Sequence, residues 1–402
     1  MRRRLAPVLL VTALLATACG GGDGASGGEE ALVVVSAPVT AQPWVGQFLE
    51  RGAELAAAEV NEGDGARVRV EVLDNGGSAQ RAAANARTAV ERGAVALIVD
   101  GVGAEAIAAV TDPVKLPVFV AFEGGESLID PEVRPTLFRM APANKAMCRR
   151  LADYVADVQR DKPVAIIADD STYGREGGPD VKADLLHNEV AVPYEGTVAE
   201  GASDVSAQVL AARRSGAQVL VVWARAAGVA AVLRAARSTG WDVPVYTGPA
   251  GEDPLVRQRL ADHPEWVDGL VFVSFRITSE VGPEPFAAYR AAYEKRFGPD
   301  RIGVQAGGRD VVQPPDWSMY SYDTVKLVAA ALERAGSTDR AKVLDALLNV
   351  SITGANGDDR GFGPDDREGV SPDDMYFATF RGMRFTPNRD DILSTNLPSV
   401  PQ

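Results

Sequence analysis

Residues 94–126, AVALIVDGVGAEAIAAVTDPVKLPVFVAFEGGE, contain one full repeat of the pattern on which the chain is built. The apolar run Val95-Ala96-Leu97-Ile98-Val99 has the length of a strand buried on both faces. The loop Asp100-Gly101-Val102-Gly103 follows, and a short amphipathic helix is expected from Ala104 to about Asp112. Pro113 and Pro117 bracket its exit, and Val118 to Phe122 reads as the next strand, ending at Glu123-Gly124-Gly125-Glu126. Such a βαβ unit predicts parallel neighbours and a right-handed crossover. Open α/β sheets take their ligands beyond the carboxyl ends of these strands, so both Gly-rich, acid-bearing loops are expected to line a site.

The same pattern extends in both directions. Upstream, Ala31 to Val35 is a strand, a loop runs from Val39 to Gly46, and Gln47 to Val60 carries apolar residues at helical spacing. Arg67 to Leu73 alternates as a strand, and Ser78 can cap a helix over Ala79 to Arg92. A second series starts near Pro142. Its helices are expected at Lys145–Arg160, up to Leu186, Val205–Ser215 and Ala227–Thr239. Its strands are expected at Pro163–Ala168, Gln218–Val222, Val243–Tyr246 and Leu270–Phe275. Late helices follow at Pro285–Phe297, Tyr322–Ala335 and Arg340–Leu348, and the alternation from Met375 to Phe385 predicts an antiparallel hairpin. Two similar series predict two similar α/β lobes.

The first thirty residues read as an address. Arg2-Arg3-Arg4 precedes an apolar core, Leu5 to Ala16, too short to span a bilayer, and Leu15-Ala16-Thr17-Ala18-Cys19-Gly20 resembles a bacterial lipoprotein signal with Cys19 as the lipidated residue. Residues 20–30, GGGDGASGGEE, form a polar tether. The expected location is therefore extracytoplasmic, on a lipid anchor. About 370 residues remain, enough for two lobes. The net charge of −14 argues against a nucleic-acid partner. Past Cys19 only Cys148 remains, in a helical context that suits a buried small hydrophobe, so the body must hold without a disulfide.

These signatures, in this order, resemble the type I periplasmic binding proteins, and most closely their branched-chain amino acid and amide-binding subgroup. Gly46-Gln47 with Arg51-Gly52-Ala53-Glu54-Leu55-Ala56, Leu73-Asp74-Asn75, Tyr173-Gly174 after Asp169-Asp170, Gly248-Pro249-Ala250-Gly251 and Tyr322-Asp323-Thr324-Val325 carry the resemblance, which covers residues 31 to 386. It implies two Rossmann-like lobes joined by three hinge crossings, near Met140-Ala141-Pro142, near Ser274-Phe275-Arg276, and across 360–373. The expected division is a signal peptide at 1–18, Cys19 and tether at 19–30, lobe one at 31–140 and 275–360, and lobe two at 141–274 and 361–402. It also implies a monomer that captures a small polar solute by cleft closure and delivers it to a membrane ABC permease and ATPase, with no cofactor and no metal.

In the family, hydroxyls and free helix N–H groups of lobe one hold the ligand carboxylate, and an acid of lobe two holds its ammonium. By position, Gly103-Ala104-Glu105 is that helix start and Glu123-Gly124 the second loop; Ala250 stands where the acid is expected. Glu123, with Glu105 and Glu126, is expected to face Arg225 and either Glu252 or Asp253, an arrangement suited to a cationic or amide-like ligand. Trp44, Tyr173, Trp223 and Phe122 stand at loop positions where aromatics cover an apolar ligand part.

Other functions fit the sequence less well or equally. Gly101-Val102-Gly103-Ala104-Glu105-Ala106 with Glu123 about 20 residues on also fits a dinucleotide fingerprint, although Pro113 breaks its helix early. Hydrolase and zinc chemistry lack their motifs: there is no Gly-x-Ser-x-Gly, and only His187 and His263 exist. A sensor with the same cleft, reporting to a membrane receptor, remains the alternative to a transport component.

Overall fold

The computed structural model describes residues 30–275 and 284–387. The signal sequence, Cys19, the tether and the second crossing's centre lie outside the described residues.

The first sheet contains β1 (Ala31–Ala37), β2 (Val68–Asp74), β3 (Ala96–Val99), β4 (Val118–Val120) and β5 (Leu137–Arg139), all parallel, in the order β2-β1-β3-β4-β5. The apolar runs are continuous because both faces are covered. Leu32, Val34, Leu97 and Val99 meet the helices α2 (Ala79–Glu91) and α3 (Ala104–Thr111). Val33, Val35 and Ile98 turn the other way, into the cluster that holds Phe48 of α1 (Pro43–Glu62).

The second series repeats the topology. Helix α4 (Asn144–Val158) leads to β6 (Val164–Asp169), α5 (Thr172–His187), β7 (Tyr194–Val198), α6 (Ser206–Arg214), β8 (Val219–Trp223), α7 (Ala226–Ser238), β9 (Val245–Thr247), α8 (Pro254–Arg259) and β10 (Leu270–Phe275). The parallel strands run β7-β6-β8-β9-β10, the order of the first sheet. In both lobes the order reverses between the first and third strands, which opens a crevice at their carboxyl ends.

From β10 the chain returns to the first lobe. Helix α9 (Glu284–Phe297) and, after the antiparallel ribbon of β11 (Asp300–Ala306) and β12 (Arg309–Gln313), helix α10 (Met319–Ala335) pack on α1. Helix α11 (Arg340–Leu347) and the short pair β13 (Ser351–Thr353) and β14 (Asp359–Gly361) follow. The chain then joins the second sheet as β15 (Met375–Arg381), antiparallel to β10, with β16 (Arg384–Pro387) at the edge. Two lobes of one topology, crossed three times, match the fold expected from sequence. The first and third crossings lie side by side. Arg139 N–H donates to Arg367 O at 2.9 Å, Gly369 N–H to Arg139 O at 2.7 Å, and the Arg139 guanidinium pairs with Glu368 at 2.9 Å.

Three local readings change. Helix α1 starts at Pro43 rather than Gln47, because proline suits the first helical turn, where no N–H is needed. Trp44 therefore sits in a helix, not in the loop. The strand expected at Val118–Phe122 stops at Val120, and the one at Val243–Tyr246 is Val245–Thr247. The β11–β12 ribbon, absent from the expected elements, joins the lobes. Asp300 accepts from Gln47 at 2.8 Å and Arg51 at 2.5 Å on α1, while Gln258 of α8 donates to Ile302 O at 2.9 Å.

Candidate functional site

In lobe one, the loop after β3 packs directly against the loop after β4. Gly101 takes φ 121, where a β-carbon would collide with the side chain of Glu123. Gly103 is left-handed, φ 72, and caps α3; a β-carbon there would stand 2.8 Å from Ala79 Cα. Both positions need glycine, so the Gly-rich motif serves loop-to-loop packing. Asp100, at the end of β3, is tied by the Asn75 amide at 2.9 Å, and burial pushes its carboxyl up to about 6.

Ala104 is buried at the start of α3. Glu105 is exposed and pairs with Arg134 of the same lobe at 2.9 Å. This corrects the expectation that it faces Arg225. Glu123 is half-buried, and its carboxylate accepts from Gly125 N–H at 3.3 Å. A β-carbon on Gly125 would stand 3.6 Å from Glu123 Oε1 and 3.5 Å from Glu176 Oε2, so carboxylates of both lobes converge there. Burial, and next the charge of Glu123, raise the Glu176 carboxyl above its ordinary range. Glu126 is a cap, accepting from Lys145 N–H at 3.0 Å. Gly124 lies tight against Asn144 at the first crossing, and its carbonyl accepts Asn144 N–H at 2.7 Å.

Above these loops lies a chain of aromatic rings. Trp44 lies 5.8 Å from Phe48, Phe48 6.1 Å from Trp317, Trp317 5.6 Å from Phe122, and Phe122 5.5 Å from Tyr320. Trp317 escaped the sequence reading. Its signal was a tryptophan in a proline-led turn, Pro314-Pro315-Asp316-Trp317, immediately before a helix.

Lobe two presents Tyr173 in the first turn of α5, stacked on Trp223 at 5.1 Å and 22°. Trp223 itself is fully buried, its indole nitrogen against Gly177, so it braces Tyr173 from behind. The Tyr173 hydroxyl is buried against Gly248 without a hydrogen-bond partner among the described residues. Asp169, at the end of β6, accepts from Ser171 Oγ at 2.5 Å and from Arg225 N–H at 2.7 Å, locking both loops at the crevice. The Arg225 side chain is half exposed, 3.8 Å from Glu200. Glu252 does not face Glu123 or Arg225. It is fully buried, accepting from Ser274 Oγ at 2.6 Å and Gln313 Nε2 at 2.8 Å. Asp253, its alternative, caps α8 through Leu255 N–H at 2.7 Å.

Cys148 is buried, and burial raises its thiol far above the range of a reactive cysteine. Among the described residues no group of three or more His, Cys, Asp or Glu is placed to hold a metal ion, and no helix is long and apolar enough to cross a membrane.

Comparison with known proteins follows the same outline. A family model described as "Periplasmic binding protein" matches residues 34–384. An amino acid binding protein of Pseudomonas aeruginosa is 25% identical over 337 residues, covering 80% of this chain and 83% of its own length. A type 1 periplasmic binding protein from Bordetella pertussis superposes with a TM-score of 0.77 at 19% identity, over 90% of this chain and all of that one. The branched-chain amino acid transporter substrate-binding protein of Streptococcus pneumoniae, solved in complex with isoleucine, gives 0.75 at 18% identity, over 89% of this chain and 98% of its own. The chain belongs to the periplasmic binding protein family. It is a solute-binding protein of type I architecture, not an enzyme, and an extracytoplasmic location follows from the family. The dinucleotide reading of Gly101 to Ala106 falls with that assignment.

Proposed function

We propose that this chain captures a small polar solute, an amino acid, an amide or a related compound, by closing two lobes around it, and delivers it to a membrane ABC permease and ATPase. The observation that carries this reading is the convergence of two matching crevices. The loop after β4 in lobe one meets the start of α5 in lobe two, where the carboxylates of Glu123 and Glu176 both lie beside Gly125. The names of the Pseudomonas and Streptococcus relatives support an amino acid or close analogue.

On this reading lobe one is residues 31–140 with 275–360, and lobe two is 141–274 with 361–402. Trp44, Gly103, Ala104, Glu123, Gly124 and Tyr173 form the walls, Arg225 stands at the rim, and Trp223 supports Tyr173. Where relatives hold a carboxylate with hydroxyls, Glu123 favours a ligand group that is cationic or donates hydrogen bonds. The chain works as a monomer, tethered through 20–30 to a lipidated Cys19. Thermal unfolding over a panel of amino acids, amides, polyamines and aromatic acids tests the proposal, because a ligand that binds only the folded state raises Tm by mass action. A panel in which no compound moves the transition removes the reading.

A further inference from the structure

The β11–β12 ribbon lies face down across the seam between the lobes. Its buried face carries Asp300, Ile302 and Val304 from one strand and Val311 and Gln313 from the other, and the ribbon packs against α8 and β16 of lobe two. Asp300 and Gln313 are direct partners in the antiparallel register, so their side chains stand side by side. They nevertheless reach into different lobes. Asp300 holds α1 of lobe one through Gln47 and Arg51, and Gln313 enters a buried polar cluster of lobe two.

In that cluster Glu252 and Arg257 are both fully buried, yet among the described residues no ion pair joins them directly. The carboxamide of Gln313 stands between them. Its Nε2 donates to Glu252 at 2.8 Å, and its Oε1 accepts from Arg257 Nη2. A carboxamide suits that place because it donates at one end and accepts at the other. Ser274 Oγ gives Glu252 a second donor at 2.6 Å, while Arg257 also donates to Met383 O and lies 4.5 Å from the Phe380 ring centroid. Because both charges reach the head of one amide, they lie near enough to pair with each other once that amide leaves. A buried charge stripped of its partner is strongly disfavoured, so each needs one in every state of the hinge. Ser274 is next to the last described residue before the second crossing, so the cluster sits at the root of that hinge.

We propose that the Asp300–Gln313 pair is a clamp on the closed lobes, and that opening exchanges the Gln313 amide for a direct Glu252–Arg257 ion pair inside lobe two. The clamp rests on the two-lobed hinge alone and needs no solute. With the lobes together, the ribbon grips α1 on one side and the Glu252–Arg257 cluster on the other. When the lobes part, Gln313 withdraws with Asp300, because the ribbon continues from α9, which packs on α1. Glu252 and Arg257, both of lobe two, then close on one another, so neither state leaves a bare buried charge. Two packings that satisfy the same groups make a two-state element, not a gradual hinge.

Small-angle scattering of the full chain, without added solute and at constant pH and ionic strength, reads the clamp. Gln313→Met keeps the length of the side chain and removes both hydrogen bonds, so its radius of gyration is expected to rise above that of the wild type. Arg257→Met is expected to stay at or below the wild-type radius. It removes the ion pair of the open state, while Glu252 keeps Ser274 and Gln313 in the closed one. Arg51→Met, at the partly exposed end of the clamp, is expected to raise the radius as well. A Gln313→Met radius equal to that of the wild type overturns the clamp. If Gln313→Met does not fold, an unchanged Arg51→Met radius overturns it instead. An Arg257→Met radius that rises as far as that of Gln313→Met overturns the exchange of partners. Each result is read without solute, so it stands whether or not the thermal panel finds a ligand.

Discussion

Glu123 and Glu105 are both acids of Gly-rich loops in the opening stretch, yet their surroundings give them opposite roles. Glu105 is 71% exposed and paired with Arg134, and an exposed pair contributes at most about 1 kcal/mol. Glu105→Gln is expected to leave the urea midpoint and any solute-induced Tm shift unchanged. Glu123→Gln and Trp44→Ala are expected to weaken solute binding at least tenfold, about 1.4 kcal/mol, without unfolding the protein; titration calorimetry with a solute found by thermal shift checks both. If both variants bind as the wild type does, the cleft assignment is wrong. Trp223 separates bracing from contact. Trp223→Ala should cost roughly 3–5 kcal/mol of stability in urea, as emptying a large core site does. Asp100 adds a pH dependence. Its carboxyl is raised in the folded chain, so its contribution is fully present below the ordinary carboxylate range and lost as pH rises through about 6. Asp100→Asn should therefore flatten part of the decline in urea midpoint between pH 4 and pH 7.

At the scale of elements, legibility followed the range of the interaction that shapes each one. Strands β1, β3, β6 and β8 were readable because burial on both faces leaves an unbroken apolar run in local sequence. The β11–β12 ribbon also left a local signal, alternating Ile302, Val304 and Ala306 followed by Gly307-Gly308, which was overlooked within a helical region. The partners of Glu252 left none, since Ser274 and Gln313 are 22 and 61 residues away and only the folded hinge collects them. Gly101 and Gly103 were legible as a motif and misleading as one, because dinucleotide binding and loop-to-loop packing ask for the same residues. The packing role makes its own prediction. Gly103→Ala forces a left-handed alanine, about 1–2 kcal/mol, and presses on Ala79. The urea midpoint should fall with an unchanged slope, whether or not any nucleotide is present.

For the whole molecule, the question is what joins the hinge to the cleft. Arg139, a buried cation at the paired first and third crossings, offers one connection. Its guanidinium meets Glu368 at 2.9 Å and donates to Gly125 O at 3.2 Å, so one side chain grips the third crossing and the loop that carries Glu123. Removing only Glu368 leaves Arg139, 1% exposed, without its counter-charge. Because Glu368 is itself a third exposed, Glu368→Ala should cost about 3 kcal/mol, the low end for breaking a buried pair. Arg139→Met removes the charge that needs a partner but also releases the Gly125 carbonyl. It should therefore cost less stability than Glu368→Ala and more solute affinity. Urea unfolding and solute titration of both variants measure the two effects separately. The opposite ranking, with Glu368→Ala weakening the solute more than Arg139→Met, would mean that crossing geometry, not loop position, connects the hinge to binding.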